Sequence, residues 1–392
     1  MSLTTAVENV AITGIGETEF VRGTDKSTRR LAMQSSLAAC RDAGIEPSSI
    51  DGLVIAGNDL SIEDYITHLG IDDLRFHASL HIGGATPVAS IILAARVVQA
   101  GMASRVLVPS VWAAISAGTR LGSGAAELST RWADELVPTT KPNLEYPYGT
   151  VVPMQWYSFH ANRYFAQTGA DPIGMERVAL STRKHANQNP KAYFRDRTLS
   201  SEQYRASEIL VKPFHLFDIS LETDGSAAVI VQAASRPNTT NGLVYIAGGA
   251  EGHPAQPDTM TSRTNVLDMG LTKAAKHTFA DLGMRADQAD FAEIYDCFTF
   301  VALRQMEELG LCGLGEAPDF AVESRIGPGG SFPVNTHGGL LSQAHVLGMN
   351  HVTEAVKQLR GQAGAGQVPD ARIGLVTGYG DFSNGSVMVL RN

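Results

Sequence analysis

The sequence predicts an α/β layered fold, and three observations carry that prediction. Short apolar runs alternate with helical stretches, the second half of the chain repeats the plan of the first, and no apolar run approaches the roughly 20 residues a membrane span needs. With 392 residues, 44% of them hydrophobic and 18% charged, the chain can bury a large core in one large or two fused globular domains.

The elements follow in order. "VAITGIGETEF" (10–20) reads as strand and turn, "STRRLAMQSSLAACRDAGI" (27–45) as an amphipathic helix and "IDGLVIAG" (50–57) as a buried strand. A helix entered through two glycines, "GGATPVASIILAARVVQAG" (83–101), leads to the strand "RVLVPSVW" (105–112), which completes a βαβαβ order. Residues 121–210 are richer in aromatics, Pro, Asn and charge, and read as a mostly helical insertion that ends where "FDISLETDGSAAVIVQ" (217–232) resumes a buried strand. The plan then recurs. "GLVYIAGGAEG" (242–252) opens a strand, a helix is expected around 266–283, and "ADFAEIYDCFTFVALRQMEELG" (289–310) runs from strand into helix. "HGGLLSQAHVLGMNHVTEAVKQLRG" (337–361) sets a second Gly-Gly before a helical pattern, and "RIGLVTGYGDFSNGSVMVL" (372–390) gives two strands and a turn. "VAITGIG" thus pairs with "VYIAGGA", and "VLVPSVW" with "IGLVTGYG". The predicted domains are 1–240, carrying the insertion, and 241–392.

Composition excludes several functions. The formal charge of −9 argues against a general phosphate-backbone binder, so nucleic acid is not expected. Three cysteines, Cys40, Cys297 and Cys312, form neither a disulfide framework nor a CxxC metal site, which suits a reducing compartment. The N-terminus lacks the basic start and apolar run of a signal peptide, so a soluble cytoplasmic protein is expected. "GIGETEF" and "GPGG" fit neither GxGxxG nor Walker spacing and read as turns.

The duplicated plan with its insertion, "TDGSAAVIV" (223–231), "GGLLSQAHVLG" (338–348) and the Gly-rich turn "TGYGDFSNG" (377–385) together resemble the thiolase superfamily, closest to its sterol-carrier-protein thiolase-like branch. The resemblance implies a five-layered α-β-α-β-α sandwich of two βαβαβ halves. It also implies a nucleophilic cysteine at the start of the first buried helix, a histidine in a Gly-His-Pro-x-Gly motif, a second cysteine in the C-terminal turn and a polar residue in an Asn-Glu-Ala-Phe-like motif. Here the nucleophile position falls at about Gly84, the histidine is His345 without the proline, the C-terminal turn carries Tyr379 and Asp381, and the polar motif has become "YDCF" with Tyr295 in place of Asn.

Those departures close the thiolase route, because Claisen chemistry through an acyl-cysteine requires a thiolate beside a base. An acyl-CoA enolate can still be stabilised by a preorganised oxyanion hole. The partner carbon must then be a ketone or aldehyde, which makes the reaction an aldol addition or its reverse on a β-hydroxyacyl-CoA. A cysteine-free, tyrosine-bearing subgroup of the superfamily, similar to aldolases that cleave steroid side-chain β-hydroxyacyl-CoAs, supports this. The resemblance further implies a homodimer, an OB-fold and zinc-ribbon partner completing a heterotetramer, and coenzyme A only as part of the substrate.

The candidate catalytic residues are therefore Tyr295, Tyr379, His345, Asp381 and His337, with Gly84, Gly338 and Gly339 expected along the thioester. Tyr295 and Tyr379 are the expected acid/base pair, with His345 supporting one of them or the oxyanion. Deprotonating an ordinary tyrosine at pH 7 costs roughly 4 kcal/mol, and the adjoining Asp296 or Asp381 would raise that cost. A phenolate base would need a cationic neighbour, and which group removes the proton stays open. Cys297 follows Tyr295 and Asp296, but buried free cysteines are usually packing. His77 and His81 precede the vacated position and line either pocket, surface or core. Arg183, Lys184, Lys191, Arg195 and Arg197 could meet the CoA phosphates or form a solvated face. A thiolase-type acyltransferase with another nucleophile, and a non-catalytic lipid-transfer or scaffold subunit, are the alternatives.

Overall fold

A computed structural model describes residues 4–57, 60–116, 143–235, 241–255, 263–380 and 383–392. The predicted Asp381 and the first part of the insertion, up to residue 142, lie outside the described residues.

The strands are β1 (Val10–Glu17), β2 (Gly52–Ala56), β3 (Phe76–Leu80), β4 (Arg105–Ala113), β5 (Ile209–Val211), β6 (Phe214–His215), β7 (Asp224–Ala233), β8 (Val244–Gly252), β9 (Phe291–Glu293), β10 (Ile373–Tyr379) and β11 (Gly385–Arg391). The longer helices are α1 (Thr28–Ala43), α2 (Ile62–Leu69), α3 (Thr86–Gln99), α4 (Pro153–Thr168), α5 (Ile173–Gln188), α6 (Gly270–Leu282), α7 (Thr299–Glu308) and α8 (Met349–Leu359). Local chemistry sets their ends. In α1 the Ser27 side chain accepts from the Arg30 N–H, and Gly44 closes the helix in the left-handed conformation.

Nine strands form one mixed sheet in the order β3-β2-β4-β7-β1-β8-β11-β10-β9. The order reads outward from the β1–β8 junction as β1-β7-β4-β2-β3 on one side and β8-β11-β10-β9 on the other. Over the first four strands of each side the pairing senses match, two antiparallel pairs and then a parallel one, β2 with β4 and β9 with β10, and β3 adds a further parallel strand beside β2. The duplication predicted from sequence is therefore a symmetry of the sheet. The halves meet edge to edge through Ala11 opposite Tyr245 and Ile12 opposite Val244.

The layers follow from strand alternation. In β2, Leu53 and Ile55 pack with α1 and α2, whereas Val54 and Ala56 face α3 and α8. In β10, Leu375 joins the core of α6 and α7, whereas Val376 joins the core of α3 and α8. Helices α3 and α8 thus touch strands of both halves, with α1 outside one half and α6 outside the other. This is the expected α-β-α-β-α layering. Among the described residues no helix is long and apolar enough to cross a membrane.

One expected helix is broken. The run after Gly338 and Gly339 is a single π-type turn, Gly339–Gln343, and α8 begins only at Met349. Left-handed backbone at Gly338, Gly339, Leu347 and Gly348 interrupts the helical pattern, and residues 344–348 form a loop in the gap.

Candidate active site

Tyr295 follows β9 and is held by its backbone. Its N–H donates to Thr377 Oγ1 at 3.1 Å, and its carbonyl accepts from Gln305 Nε2 at 2.6 Å. The Asn335 amide brackets the preceding residue, accepting from the Ile294 N–H at 2.6 Å and donating to its carbonyl at 2.8 Å. The phenol lies over Gly84, just before α3. A methyl group on Gly84 would come closer than 3.0 Å to Tyr295 Cζ, to its hydroxyl and to the Tyr379 carbonyl oxygen. The tyrosine therefore fills the space where a side chain at position 84 would begin, and a cysteine there has no room.

His345 stands in the loop before α8. It exchanges hydrogen bonds with Thr223: its N–H donates to Thr223 Oγ1 at 3.0 Å, and the Thr223 hydroxyl donates to its carbonyl at 3.1 Å. Ser220 Oγ lies 2.9 Å from His345 Nδ1. The imidazole packs beside Trp112, with ring centroids 5.4 Å apart, and meets the Tyr295 ring edge-on at 6.3 Å. Burial, assisted by the nearby His351 charge and opposed by Asp296, lowers its pKa to about 4. The ring is neutral at physiological pH.

Tyr379 reaches this place differently. Its carbonyl borders Gly84, but its hydroxyl is aimed at Met269 Sδ, 3.4 Å away, and its ring lies 6.3 Å from that of Tyr157. Burial first, and then the charge of Glu308, push the phenol well above its ordinary range. The pair expected from sequence, Tyr295 with Tyr379, is thus not the pair whose rings face each other; Tyr295 and His345 are.

His337 is drawn away from that face. It is buried, and its Nδ1 lies 2.9 Å from Glu293 Oε2. Gly338 and Gly339, expected along the thioester, approach the chain itself. A methyl on Gly338 would strike Ala186 of α5, and one on Gly339 would strike the Asp296 carboxylate. That carboxylate caps the turn, accepting the Leu340 N–H at 2.7 Å. Asp296 is a structural clamp between the end of β9 and the Gly-Gly turn.

Sequence reasoning missed His351 on the first turn of α8. Its Nε2 lies 3.3 Å from Asp296 Oδ1 and its Nδ1 3.8 Å from Glu293 Oε2, and its ring centroid is 6.3 Å from that of Tyr295. Burial alone would depress its pKa; the Asp296 and Glu293 carboxylates beside it raise it to about 9. Glu293 is correspondingly held well below the usual carboxylate range: His337 and His351 outweigh the effect of burial. Glu293, His337 and His351 gather ligand-type atoms within 4.8 Å of one another. The 2.9 Å between Glu293 and His337 is, however, a hydrogen-bond length, shorter than the roughly 3.3 Å edge of a tetrahedral zinc site. Only the imidazole count of "HVLGMNH" hinted at this cluster.

The thiols lie elsewhere. Burial pushes Cys40 and Cys312 up to about 12, and Cys297 is packed in the core of the second half. Of the basic residues in the insertion, Arg183 is buried, donates to Ser342 Oγ at 3.0 Å and stacks on Phe194. Lys184 and Lys191 pair with Glu323 and Glu17.

Residues 252–392 match the thiolase C-terminal domain-like family. The chain is 37% identical to a steroid side-chain-cleaving aldolase of Thermomonospora curvata, over 90% of each chain. It is 35% identical to the 17-hydroxy-3-oxo-4-pregnene-20-carboxyl-CoA lyase of Mycobacterium tuberculosis, over 90% of this chain and 91% of that one. It belongs to the thiolase superfamily. Within the superfamily it groups with the aldolases. The solved Ltp2-ChsH2(DUF35) aldolase superposes with a TM-score of 0.88 at 33% identity, over 100% of this chain and 98% of that one. Human mitochondrial 3-ketoacyl-CoA thiolase shares the fold, with a TM-score of 0.70 at 15% identity over the full length of both. In this thiolase-superfamily aldolase the hollow at Gly84 holds a phenol.

Proposed function

We propose that the chain cleaves a β-hydroxyacyl-CoA by a retro-aldol reaction, giving a ketone or aldehyde and a shortened acyl-CoA with no acyl-enzyme. The observation that carries this reading is the Tyr295 phenol seated on Gly84 with the His345 imidazole edge-on to it, where the site offers two proton-bearing groups and no room for a thiol. Tyr295, as phenolate, takes the β-hydroxyl proton; the Cα–Cβ bond breaks, and its electron pair becomes the thioester enolate. In this reading Ser220 is assigned as the donor to His345 Nδ1, 2.9 Å away, which places the imidazole proton on Nε2. A neutral imidazole of low pKa is then a hydrogen-bond donor to the enolate oxygen. Tyr295 returns its proton to Cα, so the sum needs no cofactor.

The names of the two aldolase relatives support a steroid-like acyl group, and the relative solved with ChsH2(DUF35) supports a DUF35-type partner of OB-fold and zinc-ribbon build. A homodimer carrying two such partners is the expected assembly.

The test is intact-protein mass spectrometry of the chain with its partner and a panel of acyl-CoAs and β-hydroxyacyl-CoAs, with free carbonyl products followed in the same tubes. Carbonyl release without a mass adduct is the expected result. A stable acyl adduct on any residue would overturn the reading in favour of an acyltransferase.

A further inference from the structure

The geometry points to His351 as the positioning residue that lets Tyr295 work as a base, by presenting a buried cation to the phenol and by fastening both ends of the segment that carries it. The inference rests on the proposed role of Tyr295 and adds the group that makes that role possible near neutral pH.

The segment Glu293-Ile294-Tyr295-Asp296 has a carboxylate at each end, and one imidazole faces both. His351 Nδ1 is directed to Glu293 and Nε2 to Asp296. All three side chains are fully buried, so the ring is shielded from solvent and counter-ions. A buried imidazole held between two carboxylates, 3.3 Å from one and 3.8 Å from the other, is placed as an ion pair, and both carboxylates favour its protonated form. The Tyr295 ring is 6.3 Å away, across Gly348. Any side chain on Gly348 would press on the Tyr295 ring, closer than 3.0 Å to Cδ2 and Cε2, and would also come within 3.6 Å of His351 Cδ2. The glycine therefore keeps the wall between phenol and imidazolium thin.

The charge of His351 answers the two carboxylates, which without it would oppose ionisation of the phenol. Asp296 also accepts the Leu340 N–H, on the same Oδ1 that His351 approaches, and Glu293 is shared with His337 and with the Thr336 hydroxyl, which donates to it at 2.7 Å. His345 is neutral and lies across the Tyr295 ring. Further along α8, Glu354 shares the Thr336 hydroxyl with Glu293 and accepts from Gln358, and Lys357 pairs with Glu17 of β1. A unit charge at such a range in a protein interior moves a neighbouring ionisation by roughly one to two pH units.

The experiment compares pH profiles of kcat/KM for retro-aldol cleavage in the chain–partner complex. In His351→Gln, cleavage at pH 7.5 is expected to fall by about 10- to 100-fold, and the limb on which activity rises with pH is expected to move up by about one to two units, so that activity recovers at high pH. A fluorinated tyrosine at position 295, with its more acidic phenol, should restore neutral-pH activity to His351→Gln. A loss that is uniform across pH and not rescued by the fluorinated residue would overturn the inference and leave His351 a packing residue. If the variant does not fold, the same comparison in His351→Asn, or with fluorotyrosine in the unaltered chain moving the limb down, reads the same coupling. Full activity of Tyr295→Phe would sink the base assignment itself. An inactive Tyr295→Phe with an unshifted His351→Gln profile would sink only the role of His351.

Discussion

The contact between Tyr295 and Gly84 gives the sharpest prediction. Gly84→Ala adds one methyl to a backbone with no left-handed requirement, so its cost is steric rather than conformational. The methyl meets a backbone carbonyl, that of Tyr379 in β10, which cannot yield without disturbing the sheet, and a phenol ring, which can swing away. Overpacking of this kind costs about 1–3 kcal/mol, and the ring is the part that moves. A displacement of roughly 1 Å at a reacting group costs about 100-fold in rate. The variant should therefore fold with modestly reduced Tm and cleave β-hydroxyacyl-CoA about 100-fold more slowly, with KM little changed. In a double-mutant cycle with Tyr295→Ala, measured by denaturant unfolding, the two changes should couple by about 1–2 kcal/mol, because removing the ring makes room for the methyl. Additive stability effects, or a Gly84→Ala enzyme with full turnover, would refute the claim that the phenol occupies the nucleophile's place.

Other outcomes follow from the same geometry. Tyr295→Phe should lose about 100- to 10,000-fold in kcat, whereas Tyr379→Phe, whose hydroxyl is aimed at Met269 Sδ, should stay within about tenfold of the parent enzyme; side-by-side steady-state kinetics decide it. Ser220→Ala removes the donor that holds the proton on His345 Nε2, and kcat should drop by about 10- to 100-fold with the fold intact by circular dichroism. Stability should also depend on pH through the histidines. His351, at about 9 in the folded chain against an ordinary 6.5, stabilises fully below about pH 6.5, and its contribution is lost as pH rises through 9. His345, at about 4, acts in the other direction: between 6.5 and 4 the unfolded chain takes up the proton first, so stability falls as pH falls. Tm should thus decline on both sides of about pH 6.5, and His351→Gln should flatten the alkaline side most, with a smaller change on the acid side where its charge helps depress His345.

Much of the fold could be read from the sequence because it is written in local patterns. The unbroken apolar runs "LVIA" and "AAVIV", the Ser27 and Gly44 caps of α1 and the repeated strand openings at 10 and 244 are properties of neighbouring residues. The repeat in the sheet was legible for the same reason. Of the proposed site, Tyr295 and His345 could be singled out from sequence because each stands in a surviving motif. Tyr379 sits in an equally suggestive turn, but its partner depends on where its ring points, and that is decided by Met269 and Tyr157 from other elements. Gly338 and Gly339 suggested ligand approach, whereas the groups they admit are Ala186 and Asp296, distant in sequence. His351 was invisible because its meaning lies in two carboxylates some sixty residues upstream, brought to it by β9 packing on α8.

The junction of β1 with β8 divides the molecule in another sense. Every side chain assigned here to proton transfer or charge, Tyr295, His345 and His351, comes from beyond that seam, while the nearer half supplies Gly84, Trp112, Ser220 and Thr223 as walls and props. In the proposed mechanism this duplicated architecture is lopsided: one half reacts and the other shapes. Changes in what is cleaved can then accumulate in the first half, by resizing a wall, while the bond-breaking groups in the second half stay untouched.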